Sequence, residues 1–443
     1  MEGELWRMGA SDLAAAIRAK RVSSREVVEA HLARIDAVNP AVNAVTVVLA
    51  EEARAAADAA DSALARGADV GPLHGVPITV KENIDVAGSA TTQGLVVLKD
   101  AVPPLDAPHI TQLRAAGAIT MARTNMPDLG LRYYTDNALR GPTKNPWEPT
   151  RTPGGSSGGE AAALATGMTP LGMGNDLGGS LRWPSQCCGT TALRTTYGRV
   201  AQASSIPPED STIVMQLMSV QGPMARHVRD LRLALSCMCG PDARDPRWTP
   251  APLQGPAPRP VRVAVTVDPA GEGVHPDVAD GVRKAAAALR DAGYDVEEVE
   301  PPLVAEGRDL FAGLLVADLK TVLYPLLKPV ASTDAVRFLD LVFSVVPELD
   351  YAGYVSGFAR RSALARAWSI FMDRLPVGAR PGCHRPAVRG GIRHRWRRAG
   401  GRDYPGLPAC GAREPPRAAR GRCARRRGER PAPGRADHRA RVS

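Results

Sequence analysis

Between His109 and His227 this 443-residue chain has no histidine. The usual base of a serine or cysteine hydrolase is therefore missing from the part of the chain richest in glycine and serine. Seven cysteines are present, but none stands at zinc-type spacing. Cys187 and Cys188 are adjacent, and Cys237 and Cys239 are separated by one residue on an expected helix. No metal site is expected, and the thiols read as buried packing groups of a reducing compartment, with the cytoplasm as the default location. The phosphate-loop pattern G-x-x-x-x-G-K-[ST] is also absent. The N-terminus, M-E-G-E-L-W-R, has early acidic residues and no apolar h-region, so no secretory signal is expected. The longest uncharged stretch near the glycine-rich region, Ala161 to Asn175, is too short and glycine-rich for a membrane span.

The formal charge of +10 invites a nucleic-acid reading, which its distribution removes. Residues 380–443 hold 19 arginines, four acidic residues and no lysine, leaving 37 basic against 42 acidic groups elsewhere. After about Pro376 helical periodicity stops, and arginine, glycine, proline and alanine dominate. Such a segment cannot bury enough apolar surface to offset its ordering entropy, so residues 377–443 are expected to form a disordered tail. An arginine-rich RNA-binding arm is the alternative, opposed by the lack of repeated RGG units and of aromatics beyond Trp396 and Tyr404. The abrupt change of composition reads as a frame shift in a GC-rich gene. His384, His394, His438, Cys383, Cys410 and Cys423 then carry no ligand role.

What the chain does have is two glycine–serine clusters, T-P-G-G-S-S-G-G at 152–159 and G-N-D-L-G-G-S-L-R-W-P at 174–184. Glycine lets the backbone present its N–H groups outward, and serine offers a nucleophile. The first cluster alone would read as a linker, but Glu160-Ala161-Ala162-Ala163-Leu164 follows at once as a strong helix start. Upstream, Lys81 ends the apolar run Val76 to Val80, a strand whose end lies inside the body. Two serines and a lysine framed by glycines suggest acyl transfer by a Ser–Lys variant of nucleophile–base chemistry.

The motifs Gly75-Val76-Pro77-Ile78-Thr79-Val80-Lys81, Thr124-Asn125-Met126-Pro127, Asn145-Pro146-Trp147 and Thr196-Tyr197-Gly198-Arg199-Val200 stand in order around these clusters. Together the set resembles the amidase signature enzymes, from the first helix to roughly residue 375. The resemblance implies Ser180 as nucleophile, Ser156 as bridging serine after a cis peptide bond, and Lys81 as base. Lys81 can act only when neutral, so burial must lower its pKa. The resemblance further implies an oxyanion hole from the N–H groups of Leu177, Gly178, Gly179 and Ser180. Asp176 and Arg182 are expected to be a supporting ion pair, and Ser157 a supporting hydrogen-bonding group. Asn175 replaces the threonine or serine common at its position, and Arg194-Thr195 stands where lysine and proline are usual.

The chemistry implied is hydrolysis of a small-molecule amide to a carboxylate and ammonia or an amine, through a serine acyl-enzyme, with no cofactor and no nucleic acid. A homodimer is compatible with this reading. Two alternatives stay open: a glutamine amidotransferase subunit, and a truncated, non-catalytic amidase-like protein that lacks the family's last strands and helices. Helices are expected at Ser11–Ala19, Ser23–Val38 with a Ser23–Glu26 capping box, Glu51–Arg66, Ile110–Ala115, Arg226–Met238, Pro276–Ala292, Leu310–Leu326, Asp334–Val345 and Tyr351–Met372. Strands are expected at Val76–Val80, Ala118–Met121, Val261–Val265 and Asp295–Val299. This alternation indicates an α/β fold. The resemblance sharpens it to one domain, residues 1–376, with a large mixed β-sheet covered by helices on both faces. The segment Gly255–Pro260 is a connection inside it.

Overall fold

The computed structural model describes residues 4–206, 210–255, 261–381, 383–385 and 387. Strands β1 (Val45–Val48), β2 (Pro77–Lys81), β3 (Ile119–Thr124), β4 (Leu171–Asp176), β5 (Thr191–Ala192) and β6 (Val220–Ala225) form a six-stranded sheet in the order β1-β3-β2-β4-β6-β5. β2 runs parallel to both β3 and β4, while β1 is antiparallel to β3, and β6 is antiparallel to β4 and β5. The sheet is thus mixed. A second, three-stranded parallel sheet joins β7 (Arg262–Val265), β8 (Asp295–Glu298) and β9 (Val377–Ala379), with β7 in the middle.

Helices α1 (Ala10–Arg18), α2 (Ser24–Val42), α3 (Ala50–Ala65), α4 (Pro108–Ala115), α5 (Gly158–Ala165), α6 (Arg182–Cys188), α7 (Ile213–Met218) and α8 (Val228–Met238) surround the first sheet. Strand β2 shows why both faces are covered. Its side chains alternate: Ile78 and Val80 join a core that includes α1, α4 and α8. Thr79 and Lys81 project to the other face, toward α5 and a core built with α2, α3 and α6. α2 begins with the expected capping box, Ser23 and Glu26 satisfying each other's N–H groups. It continues past Val38, through Pro40, to Val42.

Beyond the signature region follow α9 (Pro276–Asp291), α10 (Val304–Asp318), α11 (Tyr324–Leu327), α12 (Thr333–Val345) and α13 (Tyr351–Arg374). α9 packs on the second sheet through Val282 and Ala286. α10 and α11 are joined by a π-helical turn, and Val304–Leu327 has a mean hydropathy of 1.7, enough by length and composition to cross a membrane. Its apolar residues Ala312, Val316, Leu319, Leu323 and Leu327 pack with Phe338, Leu339 and Val342 of α12. Asp318 inside it accepts from the Val214 N–H at 2.7 Å and from the Tyr354 hydroxyl.

Two expectations change. Residues 377–379, expected in a disordered tail, form β9, because the β7 edge offers parallel partners at Val263, Ala264 and Val265. Strands β1, β4, β5 and β6 have no counterpart among the expected strands. β4 contains Gly172 and Gly174, and β6 contains Pro223, residues that weaken a strand pattern in sequence. Residues 388–443, and Pro256–Pro260 of the expected connection, lie outside the described residues.

Candidate active site

The site forms where β2 ends, where β4 ends, and where the first glycine–serine loop enters α5. Lys81, the last residue of β2, is fully buried. Its Nζ lies 2.6 Å from Ser156 Oγ and 2.7 Å from Asn175 Oδ1. Burial lowers the Lys81 pKa to about 7, against the opposing pull of Asp176 and Glu160. The Gly155–Ser156 peptide bond is cis. Gly154 has φ of +87°, and a Cβ there would lie 2.6 Å from Pro184 Cα, so no other residue fits the loop.

Ser180 sits 9% exposed at the end of the β4 loop. Its carbonyl accepts from the Ser157 N–H at 3.2 Å, tying the two clusters together through the main chain. The Ser180 hydroxyl has no hydrogen-bond partner among the described residues. Lys81 and Ser156 are thus in direct contact, whereas Ser180 joins them through Ser157. The expected role of Ser157 shifts accordingly. Its main-chain N–H makes the bond, while its buried hydroxyl is unpartnered among the described residues.

Asp176 and Arg182 form the expected pair, with Nη2 to Oδ1 at 2.9 Å and Nε to Oδ2 at 3.0 Å. The same carboxylate accepts from the N–H groups of Gly179 at 2.9 Å and Leu181 at 3.0 Å. Burial acts to raise its pKa, but the Arg182 guanidinium and these N–H donors outweigh burial and hold it below the usual range. One donor of the expected oxyanion hole is already engaged in this network. The Gly179 N–H is engaged by Asp176, leaving those of Leu177, Gly178 and Ser180 without an acceptor among the described residues. Arg194 adds a second cation, its Nε 3.5 Å from Asp176 Oδ1.

Three functional neighbours escaped the sequence reading. Glu160 is not only a helix-start residue: its carboxyl is fully buried and accepts from the hydroxyls of Thr79 and of Thr124, the latter at 2.7 Å. Burial raises its pKa to about 7 despite those two donors. It occupies the space a side chain at Gly172 would need, since a Cβ there would lie 1.9 Å from Glu160 Oε1. Arg123 is fully buried and spends its guanidinium on the carbonyls of Val80, Lys81, Ile84, Ser89 and Ala90. It thereby fixes the turn after β2. Asn83 accepts from the Asn175 amide N–H at 3.0 Å and donates from its own amide to Asn175 Oδ1 at 3.4 Å. Glu160, three residues beyond a catalytic-type serine pair, was the one with a signal: an acid at a first helical turn directly after the loop.

The loop around Gly178 faces Tyr133 and Phe311, whose side-chain atoms would meet a Cβ there at 3.5 Å and 3.6 Å. Leu129, Leu131, Tyr133 and Met215 pack against the apolar cluster of α10 and α12.

Fold and site together define an amidase signature hydrolase, a mixed sheet that brings a buried lysine to two glycine–serine loops. The chain belongs to the Amidase family, whose profile matches residues 26–373. An indoleacetamide hydrolase of Bradyrhizobium diazoefficiens is 42% identical over 381 residues, 86% of this chain and 73% of that protein. A glutamyl-tRNA(Gln) amidotransferase subunit of Acidothermus cellulolyticus is 39% identical over 306 residues, 68% of this chain and 59% of that protein. A solved fatty acid amide hydrolase superposes with a TM-score of 0.79 at 26% identity, covering 88% of this chain and 70% of that one.

Proposed function

We propose that this protein hydrolyses a carboxamide with an aromatic acyl group, using Ser180 as nucleophile, Ser156 as proton relay and Lys81 as base. The observation that carries the reading is the buried Lys81 amine, its pKa lowered to about 7, 2.6 Å from the Ser156 hydroxyl. Near neutral pH a large share of such an amine is deprotonated and can accept a proton. Ser180 Oγ attacks the amide carbon and its proton passes to Ser156, whose own proton moves to Lys81. The negative oxygen so formed is met by the N–H groups of Leu177, Gly178 and Ser180; each such donor is worth roughly 2.7–4 kcal/mol. Collapse breaks the C–N bond, and the proton held by Lys81 returns through Ser156 to the leaving nitrogen. Ammonia leaves, and water then attacks the acyl-enzyme by the same route, breaking the C–Oγ bond to release the carboxylate and restore the Ser180 hydroxyl. Hydrogen bonds of this kind commonly tighten only when substrate is present, which accommodates the unpaired Ser180 hydroxyl.

An aromatic acyl group is supported by the rings of Tyr133 and Phe311 beside Gly178 and by the similarity to an indoleacetamide hydrolase. A cytoplasmic location belongs to the same reading, supported by the free thiols of Cys187, Cys188, Cys237, Cys239 and Cys383. The test is labelling by a fluorophosphonate together with turnover of indole-3-acetamide, benzamide, a short aliphatic amide and glutamine. Labelling at Ser180 with turnover of the aryl amides is expected, and Ser180→Ala should abolish both. Lys81→Ala should remove nearly all activity, and Ser156→Ala most of it. Turnover retained by Ser180→Ala would sink the mechanism. Preference for glutamine would favour the amidotransferase reading, and absence of labelling a non-catalytic protein.

A further inference from the structure

We infer that Asn175 is a positioning residue, its side-chain oxygen holding one N–H of Lys81 so that the amine's lone pair faces the Ser156 hydroxyl. The inference rests on the Ser–Lys reading above and concerns a residue outside the triad. A neutral lysine amine has two N–H donors and one lone pair, and it works as a base only if the lone pair meets the proton to be taken. Among the described residues Nζ has two polar contacts, Ser156 Oγ at 2.6 Å and Asn175 Oδ1 at 2.7 Å. A serine hydroxyl can donate or accept, so by itself Ser156 does not decide which way the hydrogen bond runs. An amide oxygen can only accept. Its contact with Nζ therefore takes one N–H and never the lone pair, which stays available to Ser156.

The amide is itself held. Asn175 Nδ2 donates to Asn83 Oδ1 at 3.0 Å, which keeps the oxygen end toward Lys81. A hydroxyl at this position, as in Asn175→Thr, can also donate to the lone pair and compete with Ser156. The amide removes that competition.

Asn175 also contributes by being neutral. The charged groups around Lys81 are all engaged elsewhere. Asp176, next along β4, is held by Arg182 and lies near Arg194. Glu160 of α5 is held by Thr79 and Thr124. Arg123 of β3 is spent on main-chain carbonyls, including that of Lys81. The contact position on Nζ is thus filled by a neutral acceptor, and nothing there pairs with an ammonium ion.

The experiment measures kcat, KM and fluorophosphonate labelling rate against pH for the full chain and for Asn175→Asp, Asn175→Leu, Asn175→Thr and Ser180→Ala. Asn175→Asp sets a carboxylate against Nζ and should move the acidic limb of kcat/KM and of labelling upward by about one to three pH units, keeping the alkaline plateau. Asn175→Leu should lower plateau kcat roughly 10- to 100-fold with KM little changed. Asn175→Thr should fall between Leu and the wild type. Melting temperatures of every variant accompany the kinetics. An unmoved limb in Asn175→Asp, or a wild-type plateau in Asn175→Leu, overturns the inference. Should Asn175→Asp not fold, Asn175→Thr decides: kcat equal to the parent's overturns the proposal, a several-fold loss at unchanged KM supports it. Ser180→Ala reports on the triad separately, because turnover there sinks the Ser–Lys reading whatever the Asn175 variants do.

Discussion

Lys81 of β2 and Glu160 of α5 are two buried titratable side chains that meet at one face of the sheet, and each weakens the fold that makes the site. The Lys81 pKa of about 7 lies below the ordinary value, so between pH 10.5 and 7 the unfolded chain takes up a proton the folded one refuses. Stability is lost as pH falls through that window. Lys81→Met should therefore be inactive yet more stable at pH 7, by about 1–3 kcal/mol after the lost hydrogen bonds are counted. Urea titrations of both proteins at pH 7 check this, and equal midpoints would mean Lys81 is charged in the folded state. Glu160 has the opposite sign. With its pKa raised to about 7, the folded state holds a proton that the unfolded state releases from pH 4.5 upward, so stability is lost as pH rises toward 7. Glu160→Gln should melt higher than the parent at pH 8, with the gap closing near pH 4. Removing this carboxylate from the neighbourhood of Lys81 should also shift the acidic limb of the rate profile downward. A Gln variant whose melting advantage is the same at both pH values would refute the assignment.

At the level of elements, the site is assembled from strand ends and from helices that come much later in the chain. The link between the signature core and α12 is Asp128. Its Oδ1 accepts from the Ser332 N–H at 2.9 Å, at the start of α12, while its other oxygen pairs with the buried Arg132. Ser332 in turn caps α12 by accepting from the Ala335 N–H at 3.2 Å. Asp128→Ala removes the carboxylate paired with the buried Arg132 guanidinium, which keeps the Asp136 carbonyl and the Tyr134 hydroxyl; breaking a buried pair costs roughly 3–5 kcal/mol. We expect hydrogen exchange to accelerate first at Thr333–Val345. Exchange there that stays at the parent's rate while the core loosens would place the coupling elsewhere. The elements read well from sequence where periodicity was strong: α9, α12 and α13 lie within a residue or two of expectation. β4 did not, since its glycines are spent on giving room to Glu160 and Ser157, a need set by neighbours distant in sequence.

For the whole molecule, both faces of the six-stranded sheet are closed by helices, and two histidines are enclosed there. His31 of α2 and His109 of α4 are lowered by burial to about 4 and about 3. Neither His109 ring nitrogen has a partner among the described residues. Both stay neutral when folded but protonate when unfolded below about pH 6.5, so stability present above that pH is lost as pH falls toward 4 and 3. Thermal melts should decline through this range, and His109→Phe should decline less steeply, by up to ~1.4 kcal/mol per pH unit. An identical slope in the variant would show that other groups drive acid unfolding.

The sequence by itself determined which residues are available for chemistry. The order and spacing of Lys81, Ser156, Ser180, Asp176 and Arg182 marked the family, because those groups are local to short motifs whose glycines and strand pattern can be read in place. The alternating α/β character was legible for the same reason, since helix and strand periods are local. Tertiary structure alone decided what those residues touch. Only the β3-β2-β4 strand order brings Asn175 to Lys81 and Glu160 to Thr79 and Thr124. Only the closed loop brings the Gly179 N–H to Asp176. Only an available edge on β7 makes a strand of Val377–Ala379. Burial, which sets the protonation of Lys81, is a property of everything packed around it, and no local stretch of sequence contains that sum.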